Sequence, residues 1–167
     1  MKNNGTRPLR YLTEAGIIGG MYAALCLVFA PISYGAVQVR VAEALTILPA
    51  FMPAAIPGLT VGCLIANLLA GGAVGAWDWL FGTLTTLAAA LATRALRRVT
   101  VKGLPWLSAL PPVLFNAVVI GAECAFASGN GGAFWLFALQ VGVGQLIACV
   151  GGGLLLAGVL RKNKHFK

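Results

Sequence analysis

The chain has 167 residues, of which 59% are hydrophobic and 10% charged, and a formal net charge of +8. Soluble domains carry about 25% charged residues, so a water-soluble globule is excluded and the long apolar runs indicate a multi-spanning, all-α membrane protein. Nucleic acid binding is excluded too, because the lysines and arginines cluster at the two chain ends and in one loop, as cytoplasmic anchors do.

In chain order, residues 1–13 are polar and basic, with Lys2, Arg7 and Arg10, and read as a cytoplasmic leader. Residues 14–31 form the first apolar run, close to the roughly 17–25 residues a spanning helix needs, with Pro31 ending it. The run has no A-x-A cleavage pattern and reads as a span that stays. A polar stretch follows, and then a second apolar run, 41–56, interrupted by Pro49 and Pro53. It reads as a short kinked helix or a partial crossing. Pro57-Gly58 reads as a tight turn, residues 59–69 as a third helix, and Gly71-Gly72 as its end. Trp77-Asp78-Trp79 opens a fourth span running to about residue 92, the tryptophans marking a membrane interface. Arg94, Arg97, Arg98 and Lys102 form a basic loop. Residues 104–122 give a fifth span, with Pro111-Pro112 expected to kink it. Residues 128–132 are an uncharged loop, 134–160 a glycine-rich sixth span, and 161–167 a basic tail.

Six transmembrane helices place both termini on one side. Every lysine and arginine except Arg40 then falls in the leader, the loop after span four or the tail, so all of them are cytoplasmic. One six-helix transmembrane domain over residues 1–167 is the expected organisation.

This topology sorts the polar groups by depth. Tyr34, Gln38, Arg40, Glu43, Asn67, Trp77, Asp78, Trp79, Glu123 and Gln140 are expected toward the outer side, with Asn116 deeper and Gln145 near the middle. Arg40 and Glu43 are three residues apart, so on a helix they share a face. Each would cost roughly 2.5–3.5 kcal/mol at mid-membrane, which points to a role beyond fixing a helix end. Polar groups from several spans meeting at one depth suit a solute site, whereas a channel needs them along the whole path. Carboxylates with amides suit a ligand rich in N–H donors. A carboxylate accepts two such bonds side by side, a pair that a guanine-like edge offers, and aromatic side chains stack on flat rings. An amine-bearing ligand fits the acidic residues equally well.

On span one, Ala15, Gly19 and Ala23 recur every four residues, as do Gly16, Gly20 and Ala24, giving a smooth face for another helix. Cys26, Cys63, Cys124 and Cys149 show no C-x-x-C spacing and read as small core residues. The one histidine, His165, is in the tail. No metal site, cofactor or Ser–His enzyme is therefore expected. A ligand-free structural subunit and a self-sufficient carrier remain as alternatives, although no inverted repeat favours the carrier.

The string Ser33-Tyr34-Gly35 with Gln38-Val39-Arg40-Val41-Ala42-Glu43-Ala44-Leu45-Thr46 resembles the QueT family, substrate-binding (S) components of energy-coupling factor (ECF) transporters. Pro57-Gly58 followed by Gly62-Cys63 and Ala66-Asn67, and Trp77-Asp78 at the start of span four, extend the resemblance over nearly the whole chain. It implies a six-helix bundle that binds queuosine precursors (deazaguanine bases) and topples while docked on a membrane T component driven by two cytoplasmic ATPases. The family's A-x-x-x-A docking pattern would fall here on Gly19-x-x-x-Ala23 and Gly20-x-x-x-Ala24, beside Gly16. No G-x-x-x-x-G-K-[ST] string occurs, so the chain is not its own ATPase.

Overall fold

The computed structural model describes residues 6–33, 39–71 and 75–162. Among them, every regular element is helical, apart from one isolated antiparallel bridge between Val101 and Leu104. Helix α1 is Thr6–Val28 and is followed by the short α2, Ala30–Ser33. A 3-10 helix, Val41–Ala50, leads to α3, Ala55–Ala70, and α4, Ala76–Ala95. Helix α5 is Leu110–Ala127. Helix α6, Phe134–Gln145, continues through a π-helical stretch, Leu146–Gly152, into α7, Gly153–Lys162. Four helical stretches are long and apolar enough to cross a bilayer: Pro8–Val28, Ala76–Arg98, Trp106–Ala127 and Gly131–Lys162. Val41–Ala50 and Ala55–Ala70 are apolar but shorter. The expected six passes therefore divide into four full-length helices and two shorter ones.

The outside of this bundle is as apolar as its inside. Leu139, Leu155, Phe126 and Trp135 are all more than 60% exposed, far more apolar surface than a water-soluble monomer tolerates. The tryptophans lie at helix ends, Trp77, Trp79 and Trp135 at one end and Trp106 at the other, all exposed, as aromatic belts require. The chain is a multi-pass membrane protein.

Contacts fix the helix directions. Ala15 meets Gly58, and Gly19 meets Gly62, so α1 and α3 run parallel. Asn67 reaches the Asp78 carbonyl, Thr93 the Ser108 carbonyl, and Gly121 abuts Ala138, so each later neighbour runs antiparallel. Arg94 reaches the carbonyls of Pro49 and Ala50, so the 3-10 helix descends between α1 and α3. The start of α1, the basic loop after α4 and the end of α7 thus share one end, which we call the basic end.

Several boundaries differ from the sequence expectation, each for a local reason. Helix α1 begins at Thr6, so residues 6–13 are its opening turns; Arg10 Nε donates to Glu14 Oε1 at 2.7 Å one turn on. Pro57-Gly58 makes no turn. Pro57 sits in the first turn of α3, where its missing N–H costs nothing, and Gly58 is there for packing. Pro111 and Pro112 likewise start α5 and do not kink it. Gly71, at φ 79°, ends α3 as a left-handed cap.

The tightest packing is α1 on α3. A Cβ on Gly62 would stand 2.6 Å from the Gly19 carbonyl oxygen and 2.9 Å from its Cα. One on Gly58 would stand 2.6 Å from the Ala15 oxygen. The ridge Ala15, Gly19, Ala23 is therefore consumed inside the protein. The second ridge is not: Gly16, Gly20 and Ala24 are exposed, and nothing lies within 4 Å of a Cβ at Gly16 or Gly20. Gly62→Leu should force α1 from α3 and lower stability by roughly 1–3 kcal/mol or more, read as an early thermal transition in detergent. Gly16→Ala should be neutral or slightly stabilising.

Candidate functional site

The site is built on the 3-10 helix Val41–Ala50. Its i→i+3 winding eclipses every third side chain, so Arg40, Glu43, Thr46 and Pro49 fall in one row. Thr46 Oγ1 donates to the Glu43 carbonyl at 2.6 Å within that row. Pro49 lacks an N–H, and the segment's last carbonyls have no partner in the helix itself. The Arg94 guanidinium supplies one, with Nη1 at 3.1 Å from the Pro49 oxygen and 3.4 Å from the Ala50 oxygen. Ten residues at about 2.0 Å each cover roughly 20 Å, against about 15 Å had they been α-helical. The wider rise lets a short segment carry Glu43 into the bundle while its far end reaches the basic end.

Glu43 is 1% exposed and Arg40 3%. Both are therefore buried inside the bundle. The reason is Tyr22, which is fully buried and whose hydroxyl donates to Glu43 Oε1 at 2.5 Å. By helical rise Tyr22 stands about 24 Å from the start of α1, in the half of the bundle away from the basic end. The Arg40 charge acts on Glu43 and on the thiols of Cys26 and Cys63. It also acts on Glu123 of α5, whose carboxyl adjoins that of Asp78 in the first turn of α4. The Arg40 charge thus reaches Glu43 and Glu123, and Glu123 adjoins Asp78.

An amide and thiol layer ties this cluster to α3 and α4. Asn67 is fully buried, and its Nδ2 donates to the Asp78 carbonyl at 2.9 Å. Thr86 Oγ1 donates to the Cys63 sulfur at 3.2 Å. Gly82 lets the helices meet here, since a Cβ on it would stand 3.0 Å from Asn67 Nδ2 and 3.2 Å from Asp78 Oδ1. On the opposite flank Cys149 Sγ lies 3.2 Å from Gln145 Oε1 and 3.7 Å from Thr46 Oγ1. Both residues border or belong to the π-helical stretch, whose Gly152 packs directly on Ala44.

Helix α5 contributes Asn116 and Glu123, seven residues apart and so on one face. Asn116 Nδ2 is buried without a hydrogen-bond partner among the described residues. So are both Glu123 carboxyl oxygens, apart from the neighbouring Asp78 carboxyl. Buried polar atoms left unmatched cost about 1–3 kcal/mol each, so these are positions where a solute with complementary groups gains most. Beside Glu123 an apolar groove of about 490 Å³ runs between α4 and α5, lined by Trp77, Phe81 and Phe126. The Trp77 ring stacks on Phe81 at 5.8 Å and meets Phe126 edge-on at 6.1 Å.

The remaining candidates separate. Trp79, like Trp77, is exposed. Gln140 is half-buried on α6. Tyr34 and Gln38 lie outside the described residues. Sequence reasoning missed Tyr22, Cys63, Thr86 and the role of Gln145. Tyr22 had a signal: Ile18, Tyr22 and Cys26 recur every four residues, and all three are buried. Among the described residues no group of histidine, cysteine, aspartate and glutamate side chains is arranged to hold a metal ion.

No curated protein and no solved structure matches the chain significantly. A family model does: residues 12–162, from the second turn of α1 to the end of α7, match the QueT transporter model. That match takes in every element that carries the buried cluster. A multi-pass helical bundle with charges held in its interior is the architecture membrane transport calls for, and the chain belongs to the QueT transporter family.

Proposed function

We propose that the chain is the substrate-specific S component of an ATP-driven ECF importer in the cell membrane, acting as one six-helix unit with both termini cytoplasmic. It takes a queuosine precursor, a deazaguanine base, from the outer face and delivers it inward by toppling on a T component driven by two cytoplasmic ATPases. The observation that carries this reading is the burial of Arg40, Glu43 and Asp78 inside the bundle, with Glu123 adjoining Asp78 and in the field of Arg40. Family membership supports transport, and the net acidic, partly unmatched cluster supports a ligand rich in N–H groups.

In this reading Glu43 accepts the paired N–H edge of the base with its two oxygens, while Tyr22 donates to a second lone pair of Oε1. Asp78 or Glu123 receives an amine. Asn116 and Gln140 complete the polar contacts, and Asn67 braces the first turn of α4. Trp77, with Phe81 and Phe126 behind it, offers a surface on which a flat ring stacks. Arg40 offsets the excess of carboxylates and faces a ligand carbonyl oxygen. Docking falls to the exposed ridge Gly16, Gly20 and Ala24, because Gly19 and Ala23 are covered by α3.

Two experiments separate binding from docking. Glu43→Ala should weaken deazaguanine binding to the purified protein by about 1–3 kcal/mol, measured by isothermal titration calorimetry; unchanged affinity contradicts the assignment. Ala24→Leu should leave that affinity intact and abolish uptake in cells that carry the T component and ATPases. Equal loss of binding and uptake would instead place Ala24 in the fold or the site.

A further inference from the structure

We propose that the cleft at the basic end of the bundle is a binding site for the phosphate headgroup of an anionic phospholipid. This does not depend on the identity of the transported solute. The cleft has a volume of about 520 Å³ and is lined by Arg97, Arg98 and Arg161, with Phe51 and Pro105 as its apolar wall. No acidic residue lines it, and Glu14, the acidic residue of α1 nearest the basic end, is paired with Arg10, so among the described residues the arginines face the cleft without a carboxylate in its wall.

The cleft is built by specific local geometry. Val101 and Leu104 exchange backbone hydrogen bonds at 3.0 Å, closing a two-residue turn. Its central residues, Lys102 at φ 50° and Gly103 at φ 75°, are both left-handed, which is the type I′ arrangement. A lysine rarely adopts that conformation. Arg161, from the last turn of α7, lies flat on Gly103: a Cβ there would stand 2.3 to 2.5 Å from the guanidinium atoms. Its Nη1 also reaches the Lys102 carbonyl at 3.4 Å. Arg97 is oriented by the Arg94 carbonyl, with Nη1 at 3.1 Å. Arg97 and Arg161, from two separate parts of the chain, are thereby held around one space that Arg98 also lines, and a guanidinium fork matches phosphate oxygens in pairs.

The rim selects a lipid over a free anion. Val99, Val101 and Trp106 on the same loop are 46–57% exposed, which is costly in water and favourable at the boundary between headgroups and acyl chains. A phosphodiester with acyl chains attached satisfies both the arginines and this rim, and basic pockets between helix ends are where anionic headgroups bind. The cleft also meets the lower end of the 3-10 helix, where Ala50 and the following Phe51 form part of its wall.

The test is native mass spectrometry of the full-length protein in detergent with added phosphatidylglycerol or phosphatidylcholine, and with inorganic phosphate as competitor. We expect retained phosphatidylglycerol adducts, few phosphatidylcholine adducts, and little displacement by millimolar phosphate. Arg98→Gln is the informative variant, because Arg98 makes no hydrogen bond within the described fold and its loss should not unfold the loop. It should weaken phosphatidylglycerol binding about fivefold, whereas Lys162→Gln, outside the cleft, should change it little. Equal binding of the two lipids overturns the proposal. Equal effects of the two substitutions do so as well, by reducing the cleft to diffuse surface charge. Efficient displacement by phosphate overturns the lipid assignment in favour of a soluble anion.

Discussion

The structure depends on the burial of a carboxyl group and a guanidinium in the middle of an apolar bundle. Glu43 is held by the Tyr22 hydroxyl at 2.5 Å and lies in the field of Arg40. Charged groups at membrane depth are costly on their own, so their surroundings must return hydrogen bonds and opposite charge. The chain concentrates those returns in one place. α1 supplies a hydroxyl, α3 an amide and a thiol, α4 a threonine and an aspartate, and α5 a glutamate. The 3-10 helix is the element that makes this possible, because its winding aligns Arg40, Glu43 and Thr46 and stretches a ten-residue segment across much of the bundle.

Small residues then decide which surfaces are spent and which remain. Gly19, Gly58 and Gly62 bring α1 and α3 to backbone contact, and Gly82 and Gly152 make room for the side chains of Asn67 and Ala44. These approaches fix the depth at which Tyr22 meets Glu43. The neighbouring ridge of Gly16, Gly20 and Ala24 contributes nothing to that packing and stays open to the membrane. One helix thus has a face committed to packing on α3 and a second face that stays exposed. At the opposite end, Arg94 caps the 3-10 helix and Arg97, Arg98 and Arg161 surround a separate cleft, so the same short segment links the acidic interior to a basic end.

Much of this was legible in the residues. The apolar runs and the placement of Arg94, Arg97, Arg98 and Arg161 mark the helices and the end of the bundle that the basic residues share, because charge and hydropathy respond directly to the membrane. The polar residues Glu43, Asn67, Asp78 and Asn116 stand out for the same reason. The boundaries at proline were less legible. Pro57, Pro111 and Pro112 break helices when interior but are harmless in a first turn, and only the three-dimensional start of α3 and α5 distinguishes the two cases. The spacing of Ile18, Tyr22 and Cys26 marks a buried face of α1, but the partner of the Tyr22 hydroxyl emerges only once α1 is placed against the 3-10 helix. The division between the two small-residue ridges was likewise invisible in sequence, since both have the same spacing and α3 covers just one.

The most direct measurement is to identify the small molecule that co-purifies with the protein when it is extracted gently from cells and analysed intact by mass spectrometry. The account predicts one flat, nitrogen-rich deazaguanine per chain, released on denaturation. A protein that carries no such molecule, and that fails to bind any deazaguanine offered to it, would contradict the claim that the buried acidic cluster is a solute site.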